Sequence, residues 1–341
     1  MSIGGSIFKA VLHLLRTSSR MAHAIDQDCL RHIDLYPELY SGRDWRELDR
    51  VYTYLKRTLN ANQYWRYGYS RIRVVSQEVF ERLSQWTRIE GKTYCELGCG
   101  IYHPYGICTT MYLNGAKMAL AWDLNAAPEQ RAAEALHDQL SNCSVSPKDW
   151  NWADISDAEW NRRIQSFNIT ALASGELAAG VHGLPVRHVI ADITEPPEGI
   201  VGTIDLLSSK LVLEHFMNME VAAREMFNLM SSGGIAYHHI DLRDHRAYPG
   251  QNPDSSPYTY WTFLTEKSYF EKTSKFGGRS NRLRAHEYRR AFENVGFRVL
   301  EWDVQRGSLP QDLRPNLLET FSSMADSELA ITDIYCVLCK P

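Results

Sequence analysis

Tyr94-Cys95-Glu96-Leu97-Gly98-Cys99-Gly100 runs from a short apolar strand into a glycine turn, and Ala119-Leu120-Ala121-Trp122-Asp123 ends the next strand in an acid. Glycines without a Cβ let the backbone approach a ligand, and a carboxylate at the tip of a second strand accepts a pair of ribose hydroxyls. The pattern is that of a nucleoside site at the carboxyl end of a parallel sheet. A dinucleotide fingerprint needs a third glycine where the turn opens a helix toward pyrophosphate. Ile101, Tyr102 and His103 follow Gly100 instead. A ligand without pyrophosphate fits better, which argues against a nicotinamide-dependent oxidoreductase.

Working outward, short apolar strands alternate with helical segments from Lys92 onward, the texture of a parallel sheet with crossover helices. Strands are expected at 93–97, 118–123, 186–192, 204–209, 234–241, 297–303 and 331–340. Residues 125–185 form an insertion with helices expected over 128–140 and 157–177. Residues 242–280 form a second insertion, rich in Pro, Gly, Ser and aromatics, of a length that usually carries function. Residues 1–90 read as a helical extension or lid, with apolar positions recurring at three and four. Residues 91–341 are then the catalytic domain. The first 25 residues carry Lys9, Arg16 and Arg20 and no acid, a pattern that suits an amphipathic helix docked on its own core, with an organelle presequence or a membrane-surface helix as the alternatives.

The chain has 341 residues, 44% of them hydrophobic and 23% charged, which suits an ordinary globular protein. A net charge of -4 gives no general attraction to nucleic acid, and no apolar run is long enough for a membrane span. Cys95 and Cys99 fall inside the glycine turn, and strand alternation turns Cys336 and Cys339 to opposite faces. Buried, reduced thiols in a cytoplasmic protein are therefore expected rather than structural zinc.

Glu96-Leu97-Gly98-Cys99-Gly100 resembles motif I of class I S-adenosylmethionine-dependent methyltransferases, and Asp123 matches their ribose-binding acid. Ala191-Asp192-Ile193 resembles the adenine-binding pair after the third strand. Ile204 to Phe216, ending Val212-Leu213-Glu214-His215-Phe216, resembles the fourth strand and the helix start after it, and Met230-Ser231-Ser232-Gly233-Gly234 the turn before the fifth strand. The resemblance implies a Rossmann-like α/β fold, a doubly wound sheet of seven strands in order 3-2-1-4-5-7-6 with the last antiparallel. It implies S-adenosylmethionine as cofactor, held by Glu96, Gly98, Gly100, Asp123, Leu124, Asp192, Ile193 and Ser209. Two departures stand out: the first loop is bulkier than usual, with Tyr102-His103-Pro104-Tyr105, and Glu96 stands where many members have Asp.

Methyl transfer to a hydroxyl needs alignment, exclusion of water and a base. Candidate bases cluster after strands four and five: His215, then His238, His239, Asp241 and His245. Alternation puts His238 and His239 on opposite faces, so one of them is structural. The run from His238 through Asp241, Arg243 and Asp244 to His245, with Asn281-Arg282-Leu283-Arg284 downstream, resembles a bacterial methyltransferase subgroup associated with polysaccharide and glycan tailoring. On that resemblance His238 is the expected base, an acid at 241 or 244 orients an imidazole, and His245 stands second. Tyr69, Arg243, Tyr258, Trp261 and Arg282 are the expected acceptor contacts, since flat apolar faces mixed with guanidinium donors suit a sugar or a polar natural product. Glu214-His215 with a later histidine also resembles part of the metal site of small-RNA 3′-end methyltransferases. Leu211 replaces the first glutamate of that pattern, so no metal ligand is expected, with a divalent-ion site near acids 214, 241 and 244 as the alternative. The expected activity is O-methylation of a small hydroxylated acceptor; N- or carboxyl-methylation, and a non-catalytic binding subunit, are the rival readings.

Overall fold

The structure is a computed structural model that describes residues 69–101, 103–247, 260–273 and 279–341. The chain divides into two compact units, Met1–Gln77 and Glu78–Pro341. Most of the expected N-terminal extension, including its basic first helix, lies outside the described residues. Among the described residues no helix is long and apolar enough to cross a membrane.

The second unit is built on seven strands: β1 (Thr93–Leu97), β2 (Met118–Asp123), β3 (Val186–Ile190), β4 (Ile204–Lys210), β5 (Met230–Asp241), β6 (Arg298–Arg306) and β7 (Ile331–Cys339). They form one sheet in the order β3-β2-β1-β4-β5-β7-β6. The first five run parallel, and β7 is antiparallel to both β5 and β6. The expected Rossmann-like sheet is therefore present, order and orientation included. All five residues of β1 are buried, as befits a central strand covered on both faces.

Helices α1 (Tyr69–Ser84), α2 (Gly106–Leu113) and α3 (Glu129–Val145) come before β3, together with three short helices, α4 (Asp157–Gln165), α5 (Ile169–Ala173) and α6 (Leu177–Gly180). On α3 the buried positions Ala132, Ala133, Leu136, Gln139, Leu140 and Cys143 recur at helical spacing. The single helix expected over 157–177 is broken twice, for local reasons. Asn168 turns its side chain into a new N-cap for Ala171 N–H, and Gly175 takes a left-handed φ of 84°. The insertion is stitched to the end of α2 by Asn114, which donates to Trp150 O and accepts from the backbone N–H of Trp152 and Ala153.

The other sheet face is covered by α7 (Met219–Leu229) and α9 (Ala285–Asn294), which contact each other. Met219, Ala222 and Met226 from α7 and Tyr288, Ala291 and Phe292 from α9 share one core with Leu120, Trp122, Leu207, Ala236, Ile240 and Cys336 of the sheet. Each large apolar side chain buried there contributes about 1.5–3 kcal/mol, which fixes how the two helices lie over β4 and β5. Between them in sequence comes α8 (Tyr269–Thr273). Three short helices between β6 and β7 were not expected: α10 (Leu313–Asn316), α11 (Glu319–Ser322) and α12 (Asp326–Leu329). Leu313, Phe321 and Leu329 from this segment close a second small core with Trp261, Phe263, Leu264 and Tyr269 of the loop after β5.

Candidate functional site

The carboxyl ends of β1 to β4 gather the residues expected at the cofactor. Gly98 and Gly100 take φ values of 74° and 75°, the left-handed region that a side chain opposes. Gly100 N–H donates to Asp123 Oδ2 at 2.9 Å, while Asn125 N–H donates to Asp123 Oδ1 at 3.0 Å. Asp123 thus ties the glycine turn to the loop after β2, and a carboxylate with about four lone-pair positions still has capacity for two hydroxyls. Glu96 is buried beneath the turn; burial, then the charge of Asp123, pushes its pKa up to about 8. Cys108 Sγ lies 3.9 Å from Glu96 Oε2. Leu124 is 63% exposed at the tip of β2, and Ile193 is buried. Asp192 accepts two bonds from Thr194 at one oxygen, Oδ1, and these hold its pKa below the usual value.

One member of this set faces elsewhere. Ser209 is buried and its Oγ pairs with His238 Nδ1 at 2.7 Å. His238, the expected base, is fully buried with its ring parallel to Phe292 at 5.6 Å. It belongs to the face of β5 that carries Ala236 and Ile240 against α9, and burial lowers its pKa to about 3. The structure thus places it inside the core, where no acceptor reaches it. His239, on the opposite face, pairs with Asp333 at 3.0 Å and stacks on Tyr335 at 4.2 Å.

The remaining candidates do converge, just beyond the ends of β4 and β5. Glu214 and His215 sit on a single 3-10 turn, Leu213–His215, and His245 begins another, His245–Ala247. His245 Nε2 lies 3.8 Å from Glu214 Oε1 and 3.5 Å from Asp241 Oδ2; His215 Nε2 lies 4.0 Å from Glu214 Oε1. The two imidazole rings meet edge to face at 5.0 Å. His215 Nδ1–H donates to Arg279 O at 2.8 Å, which leaves the Nε2 lone pair of the neutral ring toward the glutamate. Burial lowers the pKa of His215. Burial alone would raise Asp241, but hydrogen bonds from His245 and Arg243 and their charge hold it well below the carboxylate range. Glu214 is raised well above its ordinary value, chiefly by burial and then by the charge of Asp241. The cluster adjoins the glycine turn, because a Cβ on Gly98 would stand 2.4 Å from Val212 Cγ2, two residues before Glu214.

The expected acceptor contacts are redistributed. Arg243 is engaged by Asp241 at 2.8 Å and Asp333 at 3.2 Å, with its guanidinium 5.4 Å from the centre of the Tyr260 ring. Trp261 is a core residue, 4% exposed, with its indole N–H on Leu329 O. Arg282 donates to Phe263 O and Glu266 O and lies over Phe270 at 4.5 Å. Trp261 and Arg282 are therefore structural, committed to carbonyls and rings rather than open to a ligand. Tyr258 and the side chain of Tyr69 lie outside the described residues.

The Asn281-Arg282-Leu283-Arg284 segment turns out to be a brace. Asn281 N–H donates to Glu214 O at 2.7 Å, and its side-chain amide donates to Leu213 O and Phe216 O. Arg284, fully buried, donates to the carbonyls of Leu242, Leu329 and Ile331. The motif was visible in the sequence, but its role was not. His188 on β3 had no signal at all: its Nε2 is 3.7 Å from Cys99 Sγ and its ring packs on Tyr105, beside the glycine turn.

The family model described as a methyltransferase domain matches residues 64–301. Solved structures of similar shape include an S-adenosylmethionine-dependent methyltransferase from Mesorhizobium loti, 16% identical, covering 75% of this chain and 94% of that one at a TM-score of 0.42. Another is geranyl diphosphate C-methyltransferase from Streptomyces coelicolor, 12% identical, covering 79% of each chain at a TM-score of 0.41. Comparison with curated proteins gives no match.

Proposed function

The chain belongs to the methyltransferase-domain family, as an S-adenosylmethionine-dependent transferase, and from that premise we propose that it methylates a hydroxyl of a small polar acceptor such as a sugar. S-adenosylmethionine supplies a methyl group on a sulfonium, whose departure needs no acid. The residues at the strand ends fit such a ligand. Among the described residues nothing stands within 4 Å of a Cβ built on Gly100, which leaves room for a ligand above the turn. Both bonds from Thr194 to Asp192 fall on Oδ1, so Oδ2 keeps its acceptor capacity for an adenine amino group. Glu96, buried beside the turn, is assigned to the methionine end on the resemblance of its motif.

The observation that carries the acceptor reading is the convergence of Glu214, His215, Asp241 and His245 next to the glycine turn. An amine or carboxylate acceptor attacks without assistance, whereas a hydroxyl must lose its proton. Two imidazoles beside a carboxylate that stays ionised support loss of that proton there. The assistance first expected from His238 is assigned to His215 and His245.

The test incubates the full chain with methyl-labelled S-adenosylmethionine and matched panels of hydroxylated, amine, carboxylate and carbon-nucleophile acceptors, and identifies the new bond by NMR. A methyl ether is expected, with His245→Ala and His215→Ala lowering kcat while cofactor affinity stays unchanged. An N-methyl, ester or C-methyl product would overturn the reading. Cofactor binding with no turnover of any acceptor would favour a non-catalytic binding subunit.

A further inference from the structure

We propose that Glu214, His215 and His245 form a binding site for one divalent transition-metal ion, of which zinc is the type. One donor atom from each, the two imidazole nitrogens and a carboxylate oxygen, lies within 4.8 Å of the others. Ligands about 2.1 Å from a tetrahedral ion stand about 3.4 Å apart. The observed separations of 3.8 Å and 4.0 Å contract by about half an ångström on binding, and the two imidazole nitrogens, within 4.8 Å of each other, turn in on the ion together.

The second, independent observation is the state of Glu214. Its side chain is 1% exposed, yet among the described residues neither carboxylate oxygen finds a hydrogen-bond donor. The backbone N–H groups of Glu214 and Asp241 approach the carboxylate without completing hydrogen-bond geometry. A buried carboxylate left without donors costs several kcal/mol, and a cation on its oxygens removes that cost.

The surroundings are those of a prepared centre. His215 Nδ1–H is fixed on Arg279 O, the arrangement that orients a metal-ligating imidazole through its far nitrogen. Asn281 holds the turn carrying Glu214 through three backbone carbonyls, so the ligand pair is rigid before any ion arrives. Asp241, with Oδ2 3.5 Å from His245 Nε2, adds negative charge at the site. Two imidazoles with one carboxylate select a borderline first-row ion over magnesium or calcium, which prefer all-oxygen shells. The His215 side chain is 39% exposed, so one side of the site stays open to water or an acceptor.

The ion's part in transfer rests on the hydroxyl-acceptor reading; the site itself does not. Coordination of an acceptor hydroxyl lowers its pKa toward neutrality, as it does for bound water. The O–H bond breaks with its proton released to solvent, the new O–CH3 bond forms, and the sulfonium S–CH3 bond breaks to leave a thioether. His215 and His245 then give the assistance assigned to them above by holding the ion that acidifies the hydroxyl.

The experiment strips the full chain with a chelator and titrates it with Zn2+ by calorimetry and with Co2+ by visible ligand-field absorption. About one ion per chain is expected, with affinity falling more than about tenfold in Glu214→Gln and in His215→Ala. Melting curves of both variants without ion are recorded alongside; His215→Ala, at a half-exposed side chain, serves if Glu214→Gln unfolds. The proposal is overturned if the stripped protein binds neither ion, or if both folded variants bind as tightly as the parent. Methyl ether formation by protein shown to be ion-free overturns the ion's part in transfer and keeps the acceptor reading. Ion binding lost in the variants, with no hydroxyl methylated, keeps the site and removes that reading.

Discussion

Replacing Gly98 by alanine puts a methyl group at 2.4 Å and 2.7 Å from the two methyls of Val212, on a backbone with φ of 74°. The left-handed conformation costs a non-glycine residue about 1–2 kcal/mol, and the overpacking adds about 1–3 kcal/mol. Gly100 is the internal control. Its φ is 75°, but among the described residues nothing lies within 4 Å of its built Cβ, so alanine there is expected to incur the conformational cost alone. Thermal unfolding followed by circular dichroism is expected to give a Tm loss of about 5–15 °C for Gly98→Ala and about 3–6 °C for Gly100→Ala. The clash is isolated by Gly98→Ala in a Val212→Ala background, where the double-mutant coupling is expected to recover about 1–3 kcal/mol. Equal losses at the two glycines, or a coupling near zero, would refute the claim that the segment leading to Glu214 rests on the cofactor turn.

Three further outcomes follow from the same geometry. Glu96 has its folded pKa raised from 4.5 to about 8, so the folded state holds a proton the unfolded chain has released; stability falls as pH rises through that window, and Glu96→Gln flattens a Tm-against-pH profile there. Arg284→Met removes the donors to three buried carbonyls and is expected to cost about 3–5 kcal/mol in urea unfolding. Asn281→Ala loosens the turn bearing Glu214 without touching the cofactor end, so kcat falls while S-adenosylmethionine affinity measured by calorimetry does not change.

The strands were legible because a sheet covered on both faces writes itself as short apolar runs, and Asp123 and the two glycines stand at their ends. The resemblance of Glu96 to Gly100 and of the later motifs added the strand order. What the sequence left open were questions of facing and competition. Alternation separates His238 from His239, yet it does not tell which face a helix will cover, and here α9 covers the first. Trp261 and Arg282 read as ligand contacts because exposure is invisible in a sequence; packing against 313–329 and the carbonyls of 263 and 266 claimed them instead. The helix expected over 157–177 failed at Asn168 and Gly175, where capping and left-handed backbone outcompeted a weak helical pattern.

The brace from Asn281 also orders events in time. It reaches back 68 positions to Leu213, so the turn carrying Glu214 has no anchor until that later stretch of chain exists. Domains emerging from a ribosome generally fold as units. A nascent chain that has just passed Ser209 has both glycines, Asp123 and Asp192, but lacks the brace and the α9 and β7 part of the core. Holding the nucleoside and supporting the chemistry therefore arrive together, and a product ending before residue 281, without α9 and β7, is expected to bind no methyl donor.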